Sequence, residues 1–195
     1  MRNAALKKGF ADLRRMIQTY DEQMAPLAAF IYEKRKWMVE LLRAPLMDMY
    51  ADLADRKEQI GVEYISALYD HPYEVLADMN WEADKGTGRS NSGIHKDDYH
   101  LEIKKLAAKL FGSQGQVKSL VFALHLSKFG VLSQQSGIKP LLVLDDIFDK
   151  LDERRLERLM DILASDSFGQ VLISDTSGKR VSEFLPADKL ERIAM

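Results

Sequence analysis

Two aspartates side by side, Asp145 and Asp146, follow four consecutive apolar residues, Leu141 to Leu144. An apolar run bounded by Pro140 and by charge predicts a strand buried on both faces of a parallel sheet. Carboxylates at the end of such a strand stand where open α/β sheets place their ligands. Adjacent carboxylates repel, and a hard cation held by carboxylate, water and substrate phosphate is the usual reason for keeping them together. Taken alone, the pair is explained equally well by a buried strand ending in a capping aspartate. Two further acids, Asp149 and Asp152, complete the stretch PLLVLDDIFDKLD that runs from Pro140 to Asp152.

A second stretch with chemical potential lies upstream. Phe111-Gly-Ser-Gln-Gly-Gln116 precedes residues 117–128, whose pattern reads as a helix. Two glycines and a serine just before a helix offer backbone N–H groups and a hydroxyl at the positive end of its dipole, an arrangement that binds phosphate. A glycine-rich turn with a serine cap would account for this piece alone, but not for both pieces in this order. The tetrad Ser113-Gln114-Gly115-Gln116 resembles the signature loop of ABC-type ATPases. The strand ending in Asp145 and Asp146 resembles their Walker B element, and Asp149-Lys150-Leu151-Asp152 their D-loop. Together with Gly93-Ile-His-Lys-Asp-Asp98, these motifs resemble the RecF family of DNA-repair ATPases, relatives of the SMC proteins. That family usually writes its first motif GPHRDD; here Ile94 and Lys96 replace the proline and the arginine.

The resemblance covers nearly the whole chain but only the C-terminal half of the family's length. It implies an α/β fold: half of an ABC-type P-loop ATPase head, a sheet flanked by helices, over 61–195, with an N-terminal helical arm over 1–60. It implies ATP and Mg²⁺ as cofactors, with Asp145 holding the metal and Asp146 positioning the attacking water. Ser113, Gln114, Gly115 and Gln116 would contact nucleotide bound to the opposite subunit of an ATP-dependent homodimer. Asp149 and Asp152 would communicate across that dimer, and Thr176 would take the switch position. The implied role is in DNA replication, repair and recombination, including the SOS response. The implied partners are single-stranded, gapped or junction DNA and the RecO and RecR mediators.

The remaining elements must position those residues. Leu6, Phe10, Leu13, Ile17 and Tyr20 form one helical stripe, and Asp21-Glu22 offers a cap for a second, longer helix ending or kinking at Pro45. A further helix over 45–60 would complete an antiparallel arm. Lys34-Arg35-Lys36 beside Trp37 is a candidate contact for nucleic acid by charge and stacking. The alternative is a solvated face, with Trp37 packed against the first helix. Residues 62–69 read as a strand, 99–106 as a strand or hairpin, 72–81 as a helix and 85–93 as a loop. His95, Asp97 and Asp98 match no standard metal-binding spacing, and a structured turn is the plainer reading. Residues 153–163 read as a helix and 168–175 as a second buried strand.

Composition bounds the function. The chain has 195 residues, 46% of them hydrophobic, and a net charge of −2, so overall charge gives no affinity for nucleic acid. Charge is uneven, with nine Lys and Arg against five Asp and Glu over 1–43, but four against eight over 145–166. Cysteine is absent, which excludes disulfides and thiolate metal sites. No run approaches the roughly 18 apolar residues of a membrane span, and the chain reads as cytoplasmic. No G-x-x-x-x-G-K-[ST] occurs, so the phosphate cradle of a P-loop is missing from this sequence. The expectation is therefore a chain inactive alone. The alternatives are a non-catalytic interaction module and a fragment of another SMC- or ABC-type ATPase.

Overall fold

The computed structural model describes residues 1–8, 12–145, 147, 151–174, 184 and 191. Its elements follow the order α1 (Arg2–Lys8), α2 (Leu13–Leu53), β1 (Ile60–Ile65), α3 (Tyr73–Met79), α4 (Trp81–Thr87), β2 (Asp98–Ile103), β3 (Leu106–Ala107), α5 (Ala108–Phe111), α6 (Gln114–Ser136), β4 (Leu142–Asp145), α7 (Glu153–Leu163) and β5 (Val171–Ser174). Two compact units result: Met1–Glu40 with Val62–His100, and Leu41–Gly61 with Leu101–Met195.

In the first unit, Ala5, Leu6 and Ile17 form a buried cluster with Leu13, Tyr20 and Trp81 packed against it. A second cluster joins Ala25 and Ala28 to Tyr73 and Ala77. Arg2 is buried among acids: its Nε donates to Asp21 at 2.6 Å and its Nη1 to Asp84 at 2.7 Å. Tyr73 donates to the same Asp21. The capping role expected of Asp21 is thus wrong, because its carboxylate is taken sideways by Arg2 and Tyr73 in the middle of one continuous helix. Nor does the chain break into further arm helices at Pro45. α2 runs through Pro26 and Pro45 for 41 residues, and Leu46, Tyr50 and Leu53 beyond Pro45 are almost fully buried. Burial of that face outweighs the backbone hydrogen bond each proline forfeits. Residues 45–60 are not a separate helix, since α2 ends at Leu53 and β1 begins at Ile60.

In the second unit, α7 carries Leu156, Leu159, Met160 and Leu163 inward at helical spacing. Burying each such side chain contributes about 1.5–3 kcal/mol. A helix cap contributes about 1 kcal/mol. Burial therefore makes α7 form, and the Asp152 cap fixes where it begins. α6 presents Leu120, Ala123, Leu126 and Phe129 to the core, and the Phe129 ring lies 4.9 Å from that of Phe168. It stops at Gly137, whose φ of 69° suits glycine and whose N–H donates to the Ser133 carbonyl.

Strands β1, β2 and β3 form one sheet, with β2 and β3 antiparallel. Strands β4 and β5 pair in parallel, Leu142 facing Val171 and Asp145 facing Ser174. Burial along β4 alternates: Leu142 and Leu144 point inward, while Val143 is 63% exposed. The expectation of a strand covered on both faces is corrected here. Leu142 and Leu144 are buried, and the face carrying Leu141, Val143 and Leu172 is exposed.

Candidate nucleotide-facing loops and their supporting network

The loop 112–116 is built by two constraints. A side chain at Gly112 would put its Cβ 2.6 Å from the Ala108 carbonyl oxygen, so only glycine lets α5 turn directly into the loop. Ser113 then caps α6 in a reciprocal box. Its Oγ accepts from the Gln116 N–H at 3.2 Å, and Gln116 Oε1 accepts from the Ser113 N–H at 2.9 Å. Ser113 and Gln114 are exposed. The first-turn amides of Gln114 and Gly115 have no acceptor within the helix, as at every helix start. The loop therefore offers amide donors and a hydroxyl at a dipole's positive end, which favours an anion.

Asp145 is the last residue of β4 and faces solvent, and the Ser174 hydroxyl across the register donates to its Oδ1. A carboxylate beside a hydroxyl at paired strand ends is a set of hard oxygen donors that fits Mg²⁺, which keeps most of its waters and takes few protein ligands. Ser174 was not singled out from the sequence, because nothing in its spacing shows which strand residue will face Asp145. Asp146, Asp149 and Thr176 lie outside the described residues. Asp152 caps α7: its Oδ1 accepts from the Arg155 N–H at 2.9 Å, and its Oδ2 lies 3.3 Å from Arg155 Nε.

Sequence reasoning missed Glu58 entirely. Its carboxylate accepts from Gln116 Nε2 at 2.9 Å, from Tyr50 OH at 2.7 Å and from Arg155 Nη2 at 3.2 Å. Lys104 Nζ stands 3.6 Å away. Arg155 Nη1 also donates to Ser119 Oγ at 3.1 Å, and that hydroxyl donates to the Gly115 carbonyl at 2.9 Å. Burial works to raise the Glu58 pKa, but the hydrogen bonds from Gln116, Tyr50 and Arg155 outweigh it and take it from 4.5 down to about 2. Ser113, Gly115 and Gln116 at the start of α6 are thus tied to Asp152 at the start of α7. Among the described residues, Asp145 shares no hydrogen bond or ion pair with this network. A lone glutamate between a helix and a strand carries no motif, so only the fold reveals it.

The basic triplet behaves differently. Arg35 is committed: its Nη1 donates to the Ile94 carbonyl at 2.6 Å and to Asp97 at 2.8 Å, and Tyr64 donates to the same Asp97. His95 contacts the Ser90 carbonyl at 3.0 Å. The segment 93–98 is therefore a structured turn, as the plainer reading expected. Lys34 lies over the rings of Phe30 and Trp37 at 5.5 and 5.9 Å, and Lys36 over Tyr32 at 5.8 Å. Trp37 is 53% exposed rather than packed away.

No protein-family model matches the chain. It is 38% identical over 168 residues to "DNA replication and repair protein RecF" of Azobacteroides pseudotrichonymphae, covering 86% of this chain and 46% of that protein. The same-named protein of Flavobacterium johnsoniae is 39% identical over 165 residues, with 84% and 46% covered. That of Cytophaga hutchinsonii is 33% identical over 190 residues, with 96% and 50% covered. The chain thus spans about half the length of the curated relatives it matches. Solved structures described as the recombination mediator protein RecF-ATP and RecF-ATPrS in the RecFOR pathway superpose with a TM-score of 0.74. They are 23% and 22% identical and cover 91% of this chain and 50% of theirs. That likeness shows the fold to be that of half a RecF ATPase.

Proposed function

We propose, for a chain that is the counterpart of the C-terminal half of RecF proteins, that it supplies the signature-loop and Walker B side of a DNA replication and repair ATPase. The single observation that carries this reading is the capped, exposed loop 113–116, which opens α6 and leads to a strand ending in Asp145. In this reading Ser113, Gln114, Gly115 and Gln116 receive the phosphates of a nucleotide held by a second subunit. Asp145 and Ser174 would hold Mg²⁺, which when bound offsets phosphate charge. Asp146 would orient the attacking water, Asp149 and Asp152 would meet the partner, and Thr176 would sense the terminal phosphate.

A P-loop would come from another segment of a longer protein. The open face of β4 and β5, with Leu141, Val143 and Leu172 exposed, is apolar enough to receive one. The arm would run over 1–60 and the head half over 61–195. Lys34 and Lys36 remain candidates for DNA contact, while Arg35 is engaged with Asp97. DNA, with RecO and RecR as mediators, is the partner set this reading brings. It also places the protein in the cytoplasm and in the SOS response.

The test is turnover. The chain alone should hydrolyse no Mg·ATP above an Asp146→Asn control, because a P-loop's amides and lysine hold the phosphates. Joined to a P-loop half, it should hydrolyse ATP, and Asp146→Asn should then slow the reaction by about 10³-fold or more. Turnover by the chain alone that is lost in Asp146→Asn would overturn this division of labour.

A further inference from the structure

We propose that Glu58 is a positioning residue that holds the loop 113–116 and the start of α7 in one geometry, so that they meet a nucleotide as a unit. The proposal rests on the reading of 113–116 as a nucleotide-facing loop.

Four elements converge on this one carboxylate: α2 through Tyr50, α6 through Gln116, α7 through Arg155 and the β2–β3 turn through Lys104. The backbone around it is held in conformations that L-residues adopt rarely. Asp55 and Arg56 have φ of 54° and 55°, and Lys104 and Lys105 in the facing turn have φ of 53° and 65°. The Lys104 N–H donates to the Gln59 carbonyl at 2.8 Å, which pins that turn to the residue beside Glu58. Asp55 meanwhile pairs with Arg154 and Arg158 of α7. Lys104 and Lys105 are the two central residues of the β2–β3 hairpin, where positive φ at both suits a two-residue turn, so this turn is fixed locally and presents Lys104 to Glu58.

The consequence is mechanical. Gln116 uses one end of its amide to cap α6 and the other to reach Glu58. Arg155 uses its guanidinium to reach Glu58, Asp152 and Ser119. Loss of the Glu58 carboxylate removes the ion-pair partner of Arg155 and an acceptor that Gln116 shares with it, and a displacement of about 1 Å at groups that orient reactants can cost 10²-fold in rate.

The test uses the chain joined to a P-loop half, with Glu58→Gln, Arg155→Met, the double variant and Gly115→Arg. Glu58→Gln keeps the length but loses the charge, and its single oxygen can accept from Gln116 or Tyr50 but not both, since these reach opposite oxygens of the carboxylate. Each single change at the pair should lower kcat by about tenfold or more, with KM for ATP within about twofold. The double variant should be no worse than the worse single, because both act through one contact. Should Glu58→Gln fail to fold, Arg155→Lys, which keeps charge but not the planar fork, carries the same expectation. Unchanged kcat, or losses that multiply in the double variant, would overturn the proposal while Gly115→Arg still blocked ATP-driven dimerisation. If Gly115→Arg dimerised normally, the loop reading itself would fall, and the proposal with it.

Discussion

Two arginines organise the molecule, and they do so in opposite settings. Arg2 lies almost wholly buried between Asp21 and Asp84, the latter with no exposed surface. Arg155, in the first turn of α7, and Glu58, between α2 and β1, keep 15% and 10% of their side-chain surface. Breaking a sealed ion network leaves a charge uncompensated in a low dielectric, whereas breaking one at a loop base frees the loop. The first network is a rivet for α1, α2 and α4. The second is a joint that ties the start of α6 to the start of α7.

The largest effect should come from the rivet. Arg2→Met leaves Asp21 and Asp84 without a cation and should lower the unfolding free energy by about 3–5 kcal/mol. Urea denaturation of the chain measures this, and a loss below about 1 kcal/mol would erase the distinction between the two networks.

Next comes the pH dependence of the joint. The Glu58 pKa is lower folded than unfolded, so its contribution is complete above about 4.5 and disappears as pH falls toward about 2. The shift corresponds to a contribution on the order of 3 kcal/mol. The stability difference between the wild-type chain and Glu58→Gln should therefore shrink steadily from pH 5 to about pH 2. A difference independent of pH over that range would show that charge is not what holds the joint.

Gly112→Ala should cost about 1–3 kcal/mol, since the Cβ would meet the Ala108 carbonyl and Val117. A thermal melt reads this, and a neutral substitution would mean α5 can shift at no cost. Smallest is the contrast within the basic triplet. Arg35→Ala should cost about 1–3 kcal/mol by stranding Asp97, and Lys34→Ala should stay within about 0.5 kcal/mol. Lys34→Ala with Lys36→Ala should also flatten the salt dependence of any DNA binding, and an unchanged slope would assign both lysines to a solvated face.

The candidate loops were legible because their signals are local. Ser113 and Gln116 stand three apart, as a capping box requires, and Leu142 to Asp145 spell strand and acid without reference to anything distant. α7 was legible for the same reason. The arm was not. Asp21 reads as a cap until Arg2 and Tyr73 claim it from far along the chain, and Pro45 reads as an end or kink until the burial of Tyr50 and Leu53 is seen. Glu58 was invisible because its partners lie 8, 58 and 97 positions away. The open face of β4 was misread because an apolar run carries no sign of whether its second cover is present.

The central claim is that the loop 113–116 faces a nucleotide held by another subunit. Its most direct measurement is ATP-driven dimerisation of the chain joined to a P-loop half, unmodified and with Gly115→Arg, followed by light scattering with and without Mg·ATP. Close approach of backbone to phosphate needs glycine, and a bulky cation there should leave the protein monomeric in ATP while the unmodified protein dimerises. Dimerisation of Gly115→Arg at the same ATP concentration as the unmodified protein would contradict the account.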